Sequence, residues 1–220
     1  MLRMKAVSKT YNHRNKVVNA LREATLDIPE GDFVAVVGPS GSGKSTLLLV
    51  LGGMLSPTKG QIFLGEQSLY NLKSEERARL RREKIGFLFQ TFNLVPYLTA
   101  LENVQLPLFL AGMNEEDQKR RATTLLERVG LGDRIHHKPQ ELSVGQQQRV
   151  AVARMIANEP AIILADEPTG NLDPDTSLQI LNFLDEINRE GHTIVMVTHD
   201  PRGAQKAKRT LELVGGCIHA

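Results

Sequence analysis

The strongest constraint on the fold of this chain is the segment GPSGSGKS at 38–45, which fits the pattern GxxxxGK[ST]. It lies between a short apolar run, FVAVVG at 33–38, and an apolar stretch that begins at Thr46. This strand, loop and helix context distinguishes a phosphate-binding loop from an ordinary Gly/Ser turn before a helix. Successive N–H groups and the positive helix end can surround the α- and β-phosphates, because glycine permits close approaches that a Cβ would block.

We therefore predict that Lys44 reaches the β- and γ-phosphates of a nucleotide and that the Ser45 hydroxyl binds Mg²⁺. The predicted nucleotide contacts from this part of the chain are Gly38, Ser40, Gly41, Ser42, Gly43, Lys44, Ser45 and Thr46.

Short apolar runs alternate with helical patterns along the chain, which indicates an α/β fold with a mainly parallel core sheet. The predicted buried strands are FVAVVG at 33–38, IGFLF at 85–89, AIILAD at 161–166 and TIVMVT at 193–198. The run TLLLVLGGML at 46–55 is predicted as a buried helix, since it is too short for the roughly 20 residues that span a bilayer.

The middle of the chain carries helix start signals instead of strand signals. Thr99 and Glu102 form a capping-box pattern, and NEEDQKRRATTLLERVG at 114–130 begins with an asparagine followed by three acids. We predict one domain over 1–220, with the nucleotide-binding core in 1–90 and about 158–220. A helical subdomain is predicted in about 91–157.

Composition limits the class of protein. The 220 residues are 41% hydrophobic, which is enough for one well-buried domain. The 27 basic and 25 acidic residues are interspersed, so no nucleic-acid partner is expected. The single cysteine, Cys217, and an N-terminus without an apolar signal region favour a cytoplasmic location.

Two acids end the third predicted strand, in the sequence ADEP at 165–168. Because ligands of open α/β sheets lie beyond the carboxyl ends of the strands, Asp166 is predicted to serve Mg²⁺. Glu167 is predicted to polarise the attacking water. His199 follows the next strand at the same edge and could donate to the γ-phosphate, although a histidine alone is more often structural.

At this point the chain resembles the ATP-binding subunit of an ABC transporter, over Tyr11 to about Asp200. In order, Gln90 in FLFQTFNL matches the family's Q-loop, LSVGQ at 142–146 its signature, and ADEP its Walker B segment. Asn171-Leu172-Asp173 matches its D-loop and His199 its switch histidine. The resemblance implies an ABC-type P-loop fold with an N-terminal antiparallel β region, and ATP hydrolysis with Mg²⁺.

The resemblance also implies roles for residues outside the phosphate loop. Gln90 is expected to act at the Mg²⁺ site and in catalysis, so the implied metal set is Ser45, Gln90 and Asp166. Tyr11 matches the aromatic that stacks on adenine; the alternative is an edge-strand tyrosine. The implied catalytic residues are Lys44, Gln90, Glu167 and His199.

The turn LSVGQ is implied to act on a second copy of the chain. In this family two copies face each other head to tail, so that Ser143, Gly145 and Gln146 approach the ATP bound by the other copy. Asp173 is also expected among the nucleotide contacts. Val144 stands where the family most often has glycine, and a plain helix cap by Ser143 remains compatible with this role.

The stretch FQTFNLVPYLTALENVQLPL at 89–108 most resembles ATPases of lipoprotein release, macrolide-type efflux and the cell-division permease complex. This implies an ATP-dependent homodimer at the inner face of the cell membrane that drives a separate four-helix permease. An importer ATPase is the nearer alternative, and a DNA-repair or translation ATPase a more distant one.

The pattern SEERARLRREK at 74–84 predicts a helix with a solvent-exposed face, on which Arg79 is placed to pair with Glu75.

Overall fold

The computed structural model describes residues 1–13 and 16–219, so residues 14, 15 and 220 of the predicted domain lie outside the described residues. The described strands are β1 (Leu2–His13), β2 (Lys16–Ile28), β3 (Phe33–Val37), β4 (Lys59–Leu64), β5 (Gln67–Ser68), β6 (Ile85–Phe89), β7 (Ile162–Asp166), β8 (Thr193–Val197), β9 (Arg209–Val214) and β10 (Cys217–His219). The described α-helices are α1 (Lys44–Leu51), α2 (Ser74–Lys84), α3 (Ala100–Leu110), α4 (Glu115–Arg128), α5 (Val144–Met155), α6 (Pro174–Arg189) and α7 (Pro201–Lys206).

The strands form two sheets. The first has the order β2-β1-β4-β5 and is antiparallel, and the second has the order β10-β9-β3-β8-β7-β6. The second sheet is parallel except for the β9–β10 hairpin. The four strands that the apolar runs predict are four adjacent strands of this sheet, β3-β8-β7-β6. The predicted α/β fold, with its N-terminal antiparallel region, is therefore confirmed.

Both faces of the parallel sheet are buried, which explains why its strands are apolar without alternation. In β7, Ile163 and Ala165 pack in the cluster that includes side chains of α3, α4, α5 and α6. Their neighbours Ile162 and Leu164 pack in the other cluster, with α1 and the antiparallel sheet. The core sheet therefore lies between a helical layer and the N-terminal sheet, and the nucleotide loop enters α1 on the latter side.

The helix starts predicted for the middle of the chain are correct. Thr99 Oγ1 accepts from the Glu102 N–H at 3.2 Å, and the Glu102 carboxylate accepts from the Thr99 N–H at 2.7 Å. These hydrogen bonds lower the pKa of Glu102, because they stabilise its ionised form. Asn114 caps α4, and the chain leaves that helix through Gly130 at φ 71°. The boundaries of the predicted helical subdomain stay a prediction.

Two local predictions are wrong. The apolar run at 46–55 is not one helix, because α1 ends at Leu51. A Cβ at Gly52 would lie 2.1 Å from the Phe87 ring, so the chain uses this glycine for close packing as it leaves the helix. In α2, Arg79 lies 4.0 Å from Glu83 rather than pairing with Glu75. Both acids are four residues away, but Glu75 is in the first turn, where an acid is stabilised by the helix dipole.

None of the helices in the described ranges is long and apolar enough to cross a membrane.

Candidate nucleotide site

The predicted site residues follow the carboxyl ends of neighbouring parallel strands. In register, Phe89 of β6 pairs with Asp166 of β7, and Asp166 pairs with Val197 of β8. Gln90 and His199 therefore leave the sheet at the same edge as the two acids, and the phosphate loop leaves it from β3. Strand register thus brings four separate sequence motifs to one edge of the sheet.

The backbone of the phosphate loop requires glycine at two positions, Gly38 and Gly43. Gly38 has φ 152°, and a Cβ there would lie 2.1 Å from the Leu213 carbonyl oxygen. Gly43, at φ 107°, caps α1, and a Cβ on it would lie 2.1 Å from the carbonyl oxygen of Ala20. Any side chain at these positions would force the loop away from the sheet. The glycines therefore place the N–H groups of the loop at the N-terminus of α1, where an anion is favoured.

Lys44 is held inside the loop. Its ammonium donates to the carbonyl oxygens of Gly38 and Pro39, both at 2.9 Å, and the residue is 6% exposed. An ammonium has three donors, so one stays available for a phosphate oxygen. The Ser42 hydroxyl is buried and has no hydrogen-bond partner, which is costly unless a ligand supplies one. Both features fit a bound phosphate chain.

The Ser45 side chain lies close to the Asp166 carboxylate at the end of β7. Burial is the main cause that raises the pKa of Asp166; the Ser45 side chain lowers it, nearby Glu167 raises it, and the Lys44 charge lowers it. A hydroxyl and a carboxylate are hard oxygen ligands of the kind Mg²⁺ prefers together with phosphate oxygens and water. The described residues contain no cluster of three or more His, Cys, Asp or Glu side chains that could hold a metal alone. Ser45 and Asp166 therefore suit a metal ion that is coordinated partly by the nucleotide.

Glu167 and His199 meet beside this pair. His199 Nε2 lies 3.1 Å from Glu167 Oε1, and the two side chains are 49% and 28% exposed. Glu167 has φ 45°, which a side chain other than glycine rarely adopts, and its N–H donates to the Val197 carbonyl at 2.9 Å. The unusual backbone directs Glu167 differently from Asp166, the residue before it. A partly exposed carboxylate in contact with an imidazole is able to accept a proton from water.

Gln90 lies against the D-loop. A Cβ on Gly170 would be 2.8 Å from Gln90 Nε2, and Asn171 Nδ2 donates to the Gln90 carbonyl oxygen at 3.3 Å. The next turn is held by Arg154, whose guanidinium donates to the carbonyls of Phe92 and Asn93, both at 2.6 Å. Burial lowers the pKa of Arg154. The Q-loop is thus fixed to the D-loop and to α5, although no hydrogen bond joins the Gln90 and Asp166 side chains among the described residues.

The signature turn begins α5. Ser143 Oγ accepts from the Gln146 N–H at 3.2 Å, and Gln146 Oε1 accepts from the Ser143 N–H at 2.9 Å. Both side chains therefore serve as a helix cap in this chain. Val144 is 47% exposed, so it points away from the core. The signature turn is a formed and accessible helix N-terminus, with no hydrogen bond or ion pair to the phosphate loop within the described residues.

Asp173 is the cap of α6. Its carboxylate accepts from the N–H groups of Asp175 and Thr176, at 3.2 and 3.0 Å. Its pKa is lowered, first by a hydrogen bond from the Thr176 side chain and then by the backbone N–H of the same residue. An ionised carboxylate used in this way is a poor partner for an anionic phosphate. Asp173 therefore has a visible structural role, and a nucleotide contact from it stays a prediction.

Tyr11 lies near the start of α1. Its hydroxyl is 3.3 Å from Thr46 Oγ1, its ring has the Lys9 ammonium 5.4 Å from its centroid, and it is 39% exposed. It pairs with Val18 of β2, in the part of β1 that extends beyond the β4 pairing. An exposed ring next to the helix of the phosphate loop is compatible with base stacking and with the edge-strand alternative.

The sequence reasoning missed one buried polar residue. Gln148 is fully buried in α5, and its Nε2 donates to the Pro168 carbonyl at 2.6 Å while its Oε1 has no partner. It joins the signature helix to the residue after Glu167. Its position on the apolar side of α5 was the signal in the sequence that could have identified Gln148 as a buried polar residue.

Comparisons with known proteins decide the family. The family model described as ABC transporter matches residues 21–170 of the chain. The chain belongs to the ABC transporter family. The macrolide export ATP-binding/permease protein MacB of Escherichia coli is 46% identical over 100% of this chain, and the chain spans 35% of that protein. An uncharacterized ABC transporter ATP-binding protein of Methanocaldococcus jannaschii, MJ0796, is 47% identical over 98% of this chain and 94% of its own length.

Solved structures give the same result. A dimeric structure of the ATP-binding cassette MJ0796 in a post-hydrolysis state, bound to ADP and Pi, superimposes with a TM-score of 0.94 at 44% identity. It covers 100% of this chain and 97% of that one. The predicted membership of the ABC transporter ATP-binding proteins is confirmed, with similarity to the macrolide export protein MacB and to MJ0796.

Proposed function

We propose that two copies of this chain close around two ATP molecules and that hydrolysis of this ATP drives a separate membrane permease. The observation that carries the proposal is the division of the site within one chain. Lys44, Ser45, Asp166, Glu167 and His199 meet at one edge of the sheet, while the signature turn is exposed elsewhere. The dimeric, ADP- and Pi-bound relative supports this arrangement.

Within the proposed site each residue has a defined task. The loop N–H groups and Lys44 bind and orient the phosphates, and Ser45, Asp166 and Gln90 would hold Mg²⁺. Bound Mg²⁺ would neutralise charge on the phosphate oxygens. Glu167 accepts the proton of the attacking water, and His199 orients the Glu167 carboxylate through their 3.1 Å contact.

The partner is proposed to be a permease of the macrolide-export or cell-division type. A groove of about 520 Å³ lies between α2 and α3 and reaches the strand that leads into Gln90. Its lining includes Met54, Arg81, Phe89, Leu106, Leu110 and Arg154. An apolar groove with a basic rim suits an amphipathic helix. Docking there would hold the chain at the inner face of the cell membrane.

Export or mechanical transmission to a permease is favoured over import, because MacB of Escherichia coli joins a similar sequence to a permease in one protein named for macrolide export. Which substrate the permease handles is determined outside this chain. Co-purification with a membrane permease supports the transport assignment, whereas recovery with DNA or ribosomes supports the alternative ATPase classes.

Dimer formation tests the proposed function directly. Glu167→Gln keeps the side-chain shape and the acceptor for His199 but removes the base, so ATP binds and stays uncleaved. Light scattering after gel filtration, at roughly tens of micromolar protein, should show a dimer with ATP and a monomer with ADP. A monomer under both conditions contradicts self-assembly of this chain.

A second change locates the contact. Ser143→Arg places a bulky cation in the signature turn and should return ATP-loaded Glu167→Gln protein to the monomer. Nucleotide binding by the phosphate loop should be unchanged, because the signature turn has no bond to that loop in one chain. The control adds Glu116→Gln, on the exposed face of α4, to the Glu167→Gln protein. This control should still form the ATP-dependent dimer.

A further inference from the structure

The N-termini of α5 and α6 touch each other. A Cβ built on Gly145, in the first turn of α5, would lie 2.6 Å from Cγ2 and 3.2 Å from Oγ1 of Thr176, in the first turn of α6. No atom other than those of Thr176 is among its three nearest neighbours. The glycine of the signature turn therefore packs directly on one threonine of the helix that follows the D-loop.

Thr176 also contacts the D-loop, through atoms other than its methyl group. Its N–H donates to Asp173 Oδ1 at 3.0 Å, and its side chain is near enough to the Asp173 carboxylate to help lower the pKa of that group. Asp173 ends the D-loop, whose first residue, Asn171, donates to the Gln90 carbonyl. One half-buried side chain thus has a polar contact with the D-loop and an apolar contact with the signature turn.

We propose that Thr176 is a positioning residue that joins the D-loop and the signature turn of one copy, so that both approach the nucleotide of the other copy as a single unit. This inference rests on the proposed ATP-dependent dimer. Thr176 need not touch the nucleotide. It fixes the relative position of two loops, and a site held in place before binding loses less free energy to ordering.

The two contacts of Thr176 are separable by conservative substitution. Thr176→Val keeps the methyl group beside Gly145 and removes the hydroxyl near the Asp173 carboxylate. Thr176→Ser keeps the hydroxyl and removes that methyl group. If both contacts matter, each variant should lower kcat for ATP hydrolysis by about fivefold or more, and Thr176→Ala should lower it further.

The readouts separate positioning from stability. Affinity of the monomer for ATP should stay within about twofold of the wild type in all three variants, because the phosphate loop is not touched. In the Glu167→Gln background, each Thr176 change should weaken the ATP-dependent dimer. The dimer should therefore dissociate at a higher protein concentration than it does with native Thr176. If Thr176 had only a structural role, the variants would have a lower melting temperature. Their kcat, measured well below that temperature, would equal that of the wild type. Thr124→Val, on the exposed face of α4, is the matched control.

A double variant tests the contact itself. Gly145→Ala should weaken the dimer, because its Cβ would meet Thr176 Cγ2 at 2.6 Å. With Thr176→Ala added, the nearest remaining Thr176 atom is Cβ at 3.5 Å, an ordinary contact. The double variant should therefore dimerise better than Gly145→Ala alone.

The inference is overturned if Val, Ser and Ala at 176 all leave kcat within about twofold of the wild type, or if the losses at 145 and 176 simply add. Failure of the proposed function looks different. In that case the Glu167→Gln protein with native Thr176 does not dimerise with ATP, and the inference fails with it.

Discussion

Replacing Lys44 tests how the phosphate loop binds its nucleotide. Two of the three ammonium donors already bind the carbonyls of Gly38 and Pro39, so the structure leaves one donor for a phosphate oxygen. A hydrogen bond to a charged group contributes about 1.5–3 kcal/mol. Lys44→Ala should therefore raise the dissociation constant for ATP about 10- to 150-fold, and hydrolysis should be lost.

Titration calorimetry with Mg-ATP measures this change. Lys44→Met keeps the apolar stem and should lose nearly as much affinity, because the missing group is the ammonium. Lys59→Ala, an exposed lysine of β4, should bind as the wild type does. A dissociation constant for Lys44→Ala within about threefold of the wild type would refute the assignment of Lys44 to the phosphates.

Three further predictions concern single residues. Tyr11→Ala should weaken ATP binding by about 1–2 kcal/mol if the ring stacks on the base, and unchanged calorimetric affinity would favour the edge-strand alternative. Glu167→Gln should lower kcat about 10²- to 10⁴-fold, and steady-state hydrolysis above a tenth of the wild-type rate would exclude it as the main base. Burial raises the pKa of Tyr70 from its usual 10.0 to about 12, so its stabilising contribution should be complete below pH 10 and lost as the pH rises to 12. The phenolate absorbance of wild type minus that of Tyr70→Phe should stay low at pH 10 and rise towards pH 12, and a difference already half complete at pH 10 would contradict the raised pKa.

The sequence predicts the parallel sheet and the site edge because both depend on local signals. The apolar run of β7 ends directly in Asp166 and Glu167, so any parallel arrangement takes these acids to the ligand edge. The glycines and Lys44 of the phosphate loop are adjacent in sequence, so their geometry needs no distant partner. The same holds for the Thr99 cap of α3.

What the sequence does not predict depends on contacts between distant segments. The end of α1 depends on the Phe87 ring, which reaches the position of a Cβ on Gly52. Gln148 and Thr176 are ordinary polar residues in their helices until the fold brings Pro168 and Gly145 against them. The left-handed backbone of Glu167 is likewise imposed by tertiary packing and not by its residue type.

In the proposed dimer, the charge of the signature turn predicts that the two copies separate after hydrolysis. The segment LSVGQQQ at 142–148 contains no lysine or arginine, and Asp173 places an ionised carboxylate at the neighbouring helix end. Attraction for the partner's ATP must then come from N–H groups and the partial charge of the α5 N-terminus, roughly half a unit charge. Such an attraction needs the negative γ-phosphate. When that phosphate leaves, this attraction is lost, so the two copies of the proposed dimer should separate.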